Sequence, residues 1–439
     1  MDSLTAARLQ MTLSLGFHMI YAAVGIGLPL LMVIVEGLYL RTGRPHYKAL
    51  AQRWATVTGL LFAVGAVSGT ALSLELGLLW PKYMQLLGAV VGHIFGLEGY
   101  AFFIEAIFIG LYLYGWDRLS PRAHWLCGVV IAVSGMLSGV LVLGVNAWMQ
   151  QPVGFEMIGD RVTNTDPIAV FKQPLWFFMA WHSTMACYVS VAFAVAGWYA
   201  WRILRGQRDE IARTALLVAM AVGGVSALLA PLSGDSLAKY VFRTQPVKFA
   251  AMEGQFETQR RAPLRLGGWP DEEAGVTRGA IEIPGALSFM ANSDFNTEIK
   301  GLNEYPRDEW PRVEWVHLAF QIMVGIGTLL MLLSAWFWFA VYRDPRGIVA
   351  RRTLLAVVAL CMPLGFVALE AGWVVTEVGR QPWVIQGIMR TRDVVTPAEG
   401  VFEMFVTFAL LYALLGTTVV VLLRRIARRP DGGNKSAGH

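Results

Sequence analysis

The stretch TLSLGFHMIYAAVGIGLPLLMVIVEGLYL, residues 12–40, decides the fold class, because it contains no Lys, Arg or Asp and only one Glu. A helix of about 20 apolar residues crosses a hydrocarbon core about 30 Å thick, so this run is long enough to span a membrane. It is too long for a signal peptide, and Arg8 is the one cation that precedes it. We therefore expect the run to remain in the protein as a membrane helix.

Eight further apolar runs have the length of a membrane-spanning helix. Of the 439 residues, 56% are hydrophobic and only 15% are charged, whereas soluble domains carry roughly 25% charged residues. The mean hydropathy is +0.51. The sequence therefore predicts an all-α polytopic membrane protein with nine transmembrane helices. The nine predicted runs are 12–40, 54–79, 86–116, 123–149, 174–201, 214–232, 313–342, 353–376 and 400–423.

The distribution of Lys and Arg predicts the orientation of these helices. Five alternate short segments between the runs and at the C-terminal end hold 19 Lys and Arg residues, whereas the other short segments hold seven. Because positive charge concentrates on the cytoplasmic side, we expect the N-terminus outside and the C-terminus in the cytoplasm. The same clustering accounts for the net charge of +5 without a nucleic-acid partner.

One long polar stretch, residues 233–312, separates the sixth and seventh predicted helices. Six prolines interrupt it, and its aromatic residues favour an ordered, packed loop rather than a disordered one. By helix parity it is extracytoplasmic. The predicted organisation is therefore helices one to six in 1–232, a loop domain in 233–312, helices seven to nine in 313–427, and a disordered cytoplasmic tail in 428–439.

Five side chains that can bind iron lie at a similar predicted depth. His18, Glu98, His182 and Met323 fall about 6 to 12 residues into helices that run inward from the outside, or about 9 to 18 Å. Glu377 lies at the outer end of the eighth helix. Haem iron takes His, Met and oxygen axial ligands, so the arrangement indicates cofactors in the outer half of the bilayer. The alternative is that each histidine packs by hydrogen bonding and that the methionine fills the core.

Other polar residues leave two interpretations open. Glu98 and Glu105 are two helical turns apart, so they project from one face, as either a proton relay or glutamates that bridge helices. Asn146 and Gln150 either join helices or line a channel. Arg380 either clamps a haem propionate or reaches the membrane interface beside an aromatic belt.

The segment GWVVTEVGRQPW, residues 372–383, resembles the GRQPW signature of subunit I of cytochrome bd quinol oxidases. Further stretches resemble that family in the same order along nearly the whole chain. The resemblance implies a haem-bearing core subunit of a terminal oxidase of the bacterial cytoplasmic (inner) membrane, which oxidises quinol, reduces dioxygen to water and generates a proton motive force without pumping. These stretches are ARLQ at 7–10, EAIFIGLYLYGWDR at 105–118, NAWMQQP at 146–152, KFAAMEGQFETQ at 248–259 and AFQIMVG at 319–325.

The resemblance also implies the haem ligands. His182 and Met323 would be the axial ligands of a low-spin haem b. His18 and Glu377 would ligate two active-site haems, a high-spin haem b and either haem d or a further haem b in its place. Glu98 would be a further ligand or a near neighbour of this pair.

The family likeness assigns roles to five more residues. Glu105 would lie on the proton route, and Lys248 and Glu253 would contact ubiquinol or menaquinol in the long loop, which corresponds to the Q-loop. Trp373 and Arg380 would lie beside the haems. The implied protein partners are a second oxidase subunit, subunit II, and a small single-helix accessory subunit, with lipid around them.

Three features differ from the usual family pattern, one of them being a spacing from Glu98 to Glu105 that is one residue shorter than in some members. Gln321 stands two residues before Met323, where the family often has Arg, and GLLW at 77–80 replaces GTNW. Together with a loop of the short kind, these differences point to a divergent, cyanide-insensitive branch, in which the low-spin haem potential is altered and haem b partly or wholly replaces haem d. Two other functions compete with the oxidase: a proton-coupled membrane transporter and a haem-containing quinol-linked anchor subunit.

Overall fold

The computed structural model of the chain describes residues 1–159 and 161–428. Within these residues nine helical spans have the length and hydropathy needed to cross a membrane, which confirms the predicted all-α fold with nine transmembrane helices. The orientation of the spans stays a prediction. The spans are α1 (Ser3–Thr42), α2 (Pro45–Leu79), α3 (Pro81–Tyr114), α4 (Pro121–Gln150), α6 (Pro174–Leu204), α7 (Glu210–Thr244), α10 (Val313–Arg343), the pair α11 (Arg352–Leu360) and α12 (Leu364–Val378), and α13 (Val401–Ala427).

Proline and glycine set several helix boundaries. Helices α2, α3, α4 and α6 each begin with proline, whose missing N–H would be unpaired at a first helical position in any case. Helix α1 ends at Gly43, which has a φ of 67° and caps the helix in the left-handed conformation. Tight connections of this kind make α1 and α2, α3 and α4, and α6 and α7 packed neighbours.

Close approach of helix backbones depends on small residues. A Cβ atom at Gly27 of α1 would lie 2.7 Å from Val191 of α6, and a Cβ atom at Gly365 of α12 would lie 2.5 Å from the Ser190 backbone. Membrane helices pack through such small residues because lipid provides no hydrophobic drive between them. Phe193 and Phe337, both fully buried, lie in the largest apolar cluster, which joins α1, α2, α6, α7 and α10.

Two predicted boundaries differ from the structure. Helix α7 continues to Thr244, so the boundary predicted between residues 232 and 233 lies inside a helix. No proline lies between residues 232 and 244, whereas Pro246 starts the next helix, α8 (Pro246–Glu253), and the residue before a proline disfavours helical geometry. The eighth predicted helix is interrupted after Leu360 and resumes as α12, with Pro363 at the break.

The stretch from residue 245 to residue 312 is folded and packed, as its aromatic content predicts. Helix α8 and α9 (Ala286–Asn292) combine with short antiparallel ladders, and Phe249 and Phe256 bury against residues of α10 and α12. The predicted tail at 428–439 lies, beyond Arg428, outside the described residues. The ladders are β3 (Gln259–Arg260) with β8 (Glu298–Ile299), β4 (Leu264–Leu266) with β7 (Ile281–Ile283), and β5 (Trp269–Asp271) with β6 (Val276–Arg278).

Smaller elements complete the described chain. They are β1 (Glu156–Ile158) with β2 (Arg161–Thr163), α5 (Ala169–Lys172), and β9 (Trp383–Ile385) with β10 (Met389–Arg390). Single turns of 3-10 helix occur at Leu302–Glu304, Arg307–Glu309, Gly347–Ala350 and Thr391–Asp393.

Candidate functional site

A cavity of about 360 Å³ lies among α4, α6, α7, α8, α10 and α12. His182 of α6 and Met323 of α10, the two residues predicted to hold one haem, both line it. Trp373, Lys248 and Glu253 line it as well, and most of the remaining wall is apolar. The cavity therefore brings together a predicted ligand pair and both predicted quinol contacts, although α6 and α10 are far apart in sequence.

The surroundings of His182 determine which ring nitrogen is available. Its Nδ1 lies 2.9 Å from Ser233 Oγ, and that hydroxyl donates to the Ala230 carbonyl at 2.8 Å. Because the serine proton is already used, Nδ1–H is the donor to the serine oxygen. The other nitrogen, Nε2, has no hydrogen-bond partner in the part of the chain that the structure describes. His182 thus presents a free lone pair, as an axial haem ligand requires.

His18 of α1 lies in a similar setting but does not line the cavity. Its Nδ1 lies 3.0 Å from Ser68 Oγ on α2, and Ser68 donates to the Gly65 carbonyl at 3.1 Å. The same argument leaves Nε2 of His18 free for a ligand. Of the predicted iron ligands, therefore, only His182 and Met323 share the cavity.

Glu377, at the end of α12, is held from two sides. Arg380 Nη2 donates to its Oε2 at 2.6 Å, and Asn146 Nδ2 donates to its Oε1. Arg380 is 4% exposed, and its Nε and Nη1 have no hydrogen-bond partner among the described residues. A buried guanidinium with two free donors is unlike a side chain that extends to an interface. It fits a carboxylate such as a haem propionate.

Asn146 and Gln150 continue this contact toward the cavity. Gln150 Nε2 donates to Asn146 Oδ1 at 2.7 Å, and Lys248 Nζ donates to Gln150 Oε1 at 2.6 Å. An unbroken hydrogen-bonded chain therefore joins Lys248 to Glu377. From the sequence, joining helices and lining a channel were alternatives. Gln150 bonds Lys248 of another helix and also lines the cavity.

Lys248 and Glu253, at the two ends of α8, are buried titratable groups. Burial, and to a smaller extent the charge of Arg380, lower the pKa of Lys248 to about 7, against the opposing effect of Glu377. Burial also raises the pKa of Glu253 to about 7, although the charge of Arg265 opposes the rise. Glu253 Oε2 has no partner among the described residues. Both side chains can therefore change protonation near neutral pH.

Glu98 and Glu105 both face α4. Ser138 Oγ donates to Glu98 Oε1 at 2.9 Å. Glu105 is 5% exposed, its Oε1 has no partner among the described residues, and a Cβ atom at Gly135 would lie 3.1 Å from it. Glu98 has a hydrogen-bond partner on α4, whereas Glu105 Oε1 has none among the described residues. The interpretation as a glutamate that bridges helices therefore applies to Glu98 alone.

The donor set suits haem better than a bare metal ion. Among residues 1–159 and 161–428, no three His, Cys, Asp or Glu side chains come together as an ion site. Haem iron needs only one or two axial ligands, because the porphyrin supplies the others. Free Nε2 atoms on His18 and His182, together with the unpaired donors of Arg380, fit that requirement.

Sequence reasoning missed Ser68 and Ser233, which hold the two histidines. A serine in a membrane helix is common, and nothing in its local spacing marks a histidine partner 50 or 51 residues away. The one sequence signal available was that glycine follows both serines.

The described residues define the class of polytopic membrane proteins that have a His- and Met-lined cavity between their spans. The family model described as cytochrome bd terminal oxidase subunit I matches residues 6–431. The chain belongs to this family.

Named relatives cover nearly the whole chain. The putative cytochrome bd menaquinol oxidase subunit I of Bacillus subtilis (strain 168) is 38% identical over 429 residues, 96% of each chain. The cytochrome bd ubiquinol oxidase subunit 1 of the same organism is 32% identical over 449 residues, 99% of this chain and 96% of that one. The solved bd oxidase from Geobacillus thermodenitrificans has a similar fold, with a TM-score of 0.92 and 37% identity over 98% of this chain and 99% of that one. The family resemblance seen in the sequence is thereby confirmed.

Proposed function

We propose that the chain is the haem-bearing core of a quinol:oxygen oxidoreductase, which oxidises quinol beside the cavity and reduces dioxygen to water. The observation that carries the proposal is the shared lining of one cavity by His182, Met323, Lys248 and Glu253. Two of these side chains suit haem iron and two suit the hydroxyl groups of a quinol. The printed names of relatives, which include a menaquinol and a ubiquinol oxidase, support the same substrate class.

Three haems are assigned by ligand chemistry and by the family likeness. His182 and Met323 would hold a low-spin haem b, because a His and Met pair raises the potential of an electron-transfer haem. His18 and Glu377 would hold the active-site pair, a high-spin haem b and haem d or another haem b, with Glu98 nearby. Arg380 would bind a propionate, and Trp373, seven residues earlier in the chain, would lie beside the haems. When bound, haems supply one-electron transfer and the binding of dioxygen.

At the quinol side, α8 supplies both a donor and an acceptor. The Lys248 ammonium would donate to one quinol oxygen, and the Glu253 carboxylate would accept a proton from the hydroxyl group. With the predicted orientation, residues 245–312 lie outside, so these protons leave on that side. Glu253 is suited to this step because burial raises its pKa to about 7, and a base is most effective when its pKa is near the working pH.

At the oxygen side, α3 supplies a route for protons from the cytoplasm. Glu105 would pass protons to Glu98, which lies two helical turns nearer the outside by the predicted topology. Protons consumed from one side and released on the other separate charge across the membrane without a pump. The buried, unpaired Oε1 of Glu105 supports this role, since a glutamate used only for packing would have a fixed partner.

Membership in a subunit I family implies a partner, subunit II. Large apolar side chains face outward on the membrane helices, including Ile107 of α3, which is 61% exposed, and Leu410 of α13, which is 67% exposed. We assign these outward faces to subunit II, to a single-helix accessory subunit and to lipid of the bacterial inner membrane. The loop of residues 245–312 would act as the quinol-binding domain.

Reduced-minus-oxidised spectra with extracted-haem analysis test the proposal. Wild type should contain haem, His182→Ala should lose only the low-spin band, and Glu377→Ala should lose an active-site band. His93→Ala is the matched control, because His93 is an exposed histidine on α3. A colourless wild-type protein would overturn the oxidase assignment and favour a transporter. Oxygen uptake driven by other reductants but not by quinol would overturn the assignment of quinol as the substrate.

A further inference from the structure

Two histidines that this function requires share one local arrangement. The dipeptide Ser68-Gly69 of α2 faces His18 of α1, and Ser233-Gly234 of α7 faces His182 of α6. In each case the dipeptide belongs to the helix that follows the histidine in the chain and packs against it. The inference below rests on the proposed haem ligation.

The serine of each dipeptide determines the histidine tautomer. Each hydroxyl donates to the carbonyl three residues earlier in its own helix, Gly65 for Ser68 and Ala230 for Ser233. The serine oxygen can then only accept, so the proton of the facing imidazole lies on Nδ1. The lone pair on Nε2 is left for a ligand, which is how second-shell partners usually orient metal-bound histidines.

The glycine of each dipeptide provides the space that the ring occupies. A Cβ atom at Gly69 would lie 2.9 Å from Cε1 of His18, and one at Gly234 would lie 3.2 Å from Cε1 of His182. Carbon atoms pack best about 3.5 to 4.0 Å apart, so any larger residue would push the imidazole away. Serine and glycine together therefore hold both the position and the tautomer of the ring.

The distribution of the dipeptide supports a specific role. Ser-Gly occurs four times in the chain, and the other two copies, 134–135 and 138–139 of α4, face Glu105 and Glu98. By contrast, Ser190 and Ser334 are equally buried, are not followed by glycine, and bond only to carbonyls of their own helices. These two buried serines therefore face no predicted ligand.

We propose that Ser68-Gly69 and Ser233-Gly234 are positioning pairs that orient His18 and His182 toward haem iron and tune its reduction potential. A hydrogen bond from Nδ1–H makes Nε2 a stronger electron donor, which stabilises ferric over ferrous iron. Each pair acts on its own haem. The Ser233 pair tunes the reduction potential of the low-spin haem, and the Ser68 pair tunes that of the active-site haem held by His18.

The test of the serines is a redox titration of each haem in the purified oxidase. Ser233→Ala should raise the midpoint potential of the low-spin haem only, and Ser68→Ala that of an active-site haem only. The carbonyls of Ala230 and Gly65 also face the rings, so we expect a shift rather than loss of haem. A tenfold change in the equilibrium between ferric and ferrous iron corresponds to a change of about 59 mV in the midpoint potential.

Conservative and control variants separate positioning from packing. Ser233→Thr keeps a hydroxyl that can bond the same carbonyl, so it should restore the wild-type potential. Ser334→Ala removes an equally buried hydroxyl away from both histidines and should shift neither haem. Gly234→Ala should displace the ring, weaken low-spin haem retention by about 10- to 100-fold and alter its electron paramagnetic resonance g values. Gly110→Ala is its control, because a Cβ atom there meets nothing within 4 Å.

The outcomes keep the two proposals distinct. If wild type binds haem and His182→Ala loses the low-spin band, yet Ser233→Ala and Gly234→Ala leave potential and g values unchanged, the positioning role is wrong and the oxidase assignment stands. The positioning role is also wrong if Ser334→Ala shifts the midpoint potential of a haem as much as Ser233→Ala does. Absence of haem from wild type would instead refute the proposed function.

Discussion

Gln321 of α10 binds the loop of residues 245–312 through both ends of its amide. Its Oε1 accepts a hydrogen bond from the Gly267 N–H at 3.0 Å, and its Nε2 donates to the Arg265 carbonyl at 3.0 Å. His317, one helical turn earlier, lies 3.2 Å from the Gly267 carbonyl and 2.8 Å from the Met252 carbonyl. The helix that carries Met323 therefore also fixes the loop. Gln321 contacts uncharged backbone groups of the loop.

We expect Gln321→Ala to raise the KM for quinol by about 2- to 10-fold, because a hydrogen bond contributes about 0.5 to 1.5 kcal/mol. The low-spin haem spectrum should stay as in wild type. Steady-state oxygen uptake at varied quinol concentration measures the change, with Gln386→Ala as an exposed control. An unchanged KM with a shifted haem potential would place the effect of Gln321 at the haem instead.

Glu253 should make quinol oxidation depend on pH. Its pKa in the folded protein is raised to about 7, so the carboxylate that accepts a proton is present above this pH and lost below it. We expect kcat/KM to rise with pH up to about 7 and to fall above it, where the Lys248 ammonium loses its proton, and Glu253→Gln to lower activity and abolish the rising limb. Glu257→Gln, an exposed change in the same loop, should keep the wild-type profile. A pH profile unaffected by Glu253→Gln would argue against the base.

Gln150→Leu should interrupt the hydrogen-bonded chain from Lys248 to Glu377. An unpaired buried donor costs about 1 to 3 kcal/mol, so we expect quinol to reduce the low-spin haem about 10-fold more slowly. Reduction by dithionite should still give the wild-type spectrum. Gln151→Leu is a close control, because Gln151 accepts a hydrogen bond from the Tyr240 hydroxyl and is not part of the hydrogen-bonded chain from Lys248 to Glu377. Equal effects of the two variants would indicate a general disturbance of α4.

Glu105→Gln should slow dioxygen reduction and leave the first electron transfer intact. A positioned proton donor contributes about 10²- to 10⁴-fold in rate, so turnover should fall within that range. Stopped-flow reduction of the low-spin haem by quinol should match wild type, whereas oxygen uptake should not. Glu403→Gln, an exposed change on α13, serves as the control. If turnover were unchanged, Glu105 would have no part in proton delivery.

A buried cluster should stabilise the packing of α1, α3 and α4 near the C-terminal ends of α1 and α3 and the N-terminal end of α4. Glu36 accepts from the Tyr112 hydroxyl at 2.6 Å and pairs with His124 Nδ1 at 2.6 Å, with all three side chains buried. A buried polar group that loses its hydrogen-bond partner costs about 1 to 3 kcal/mol, so Glu36→Gln should lower the thermal unfolding temperature of the solubilised protein. Lys172→Ala, which removes an exposed pair with Asp166, should have little effect. Similar losses from both changes would contradict this account.

Local sequence determined the number of membrane helices, because the length and hydrophobicity of a span belong to one contiguous stretch of chain. It also placed Glu98 and Glu105 on one helix face, since helical periodicity is local. The end of α7 at Thr244 was less predictable. Polar residues after 232 resemble a loop in composition, yet they form helix where the loop packs over them.

Only the tertiary structure decided which side chains meet. Asn146 reaches Glu377 across 231 residues, and Ser233 reaches His182 across 51. Such contacts depend on how each helix is rotated and how deeply it sits beside its neighbour, and small residues such as Gly27 and Gly365 set those distances. Periodicity within one helix contains no information about the rotation of another. The sequence could therefore name the histidines predicted to ligate iron, whereas only the fold revealed the serine and glycine that contact them.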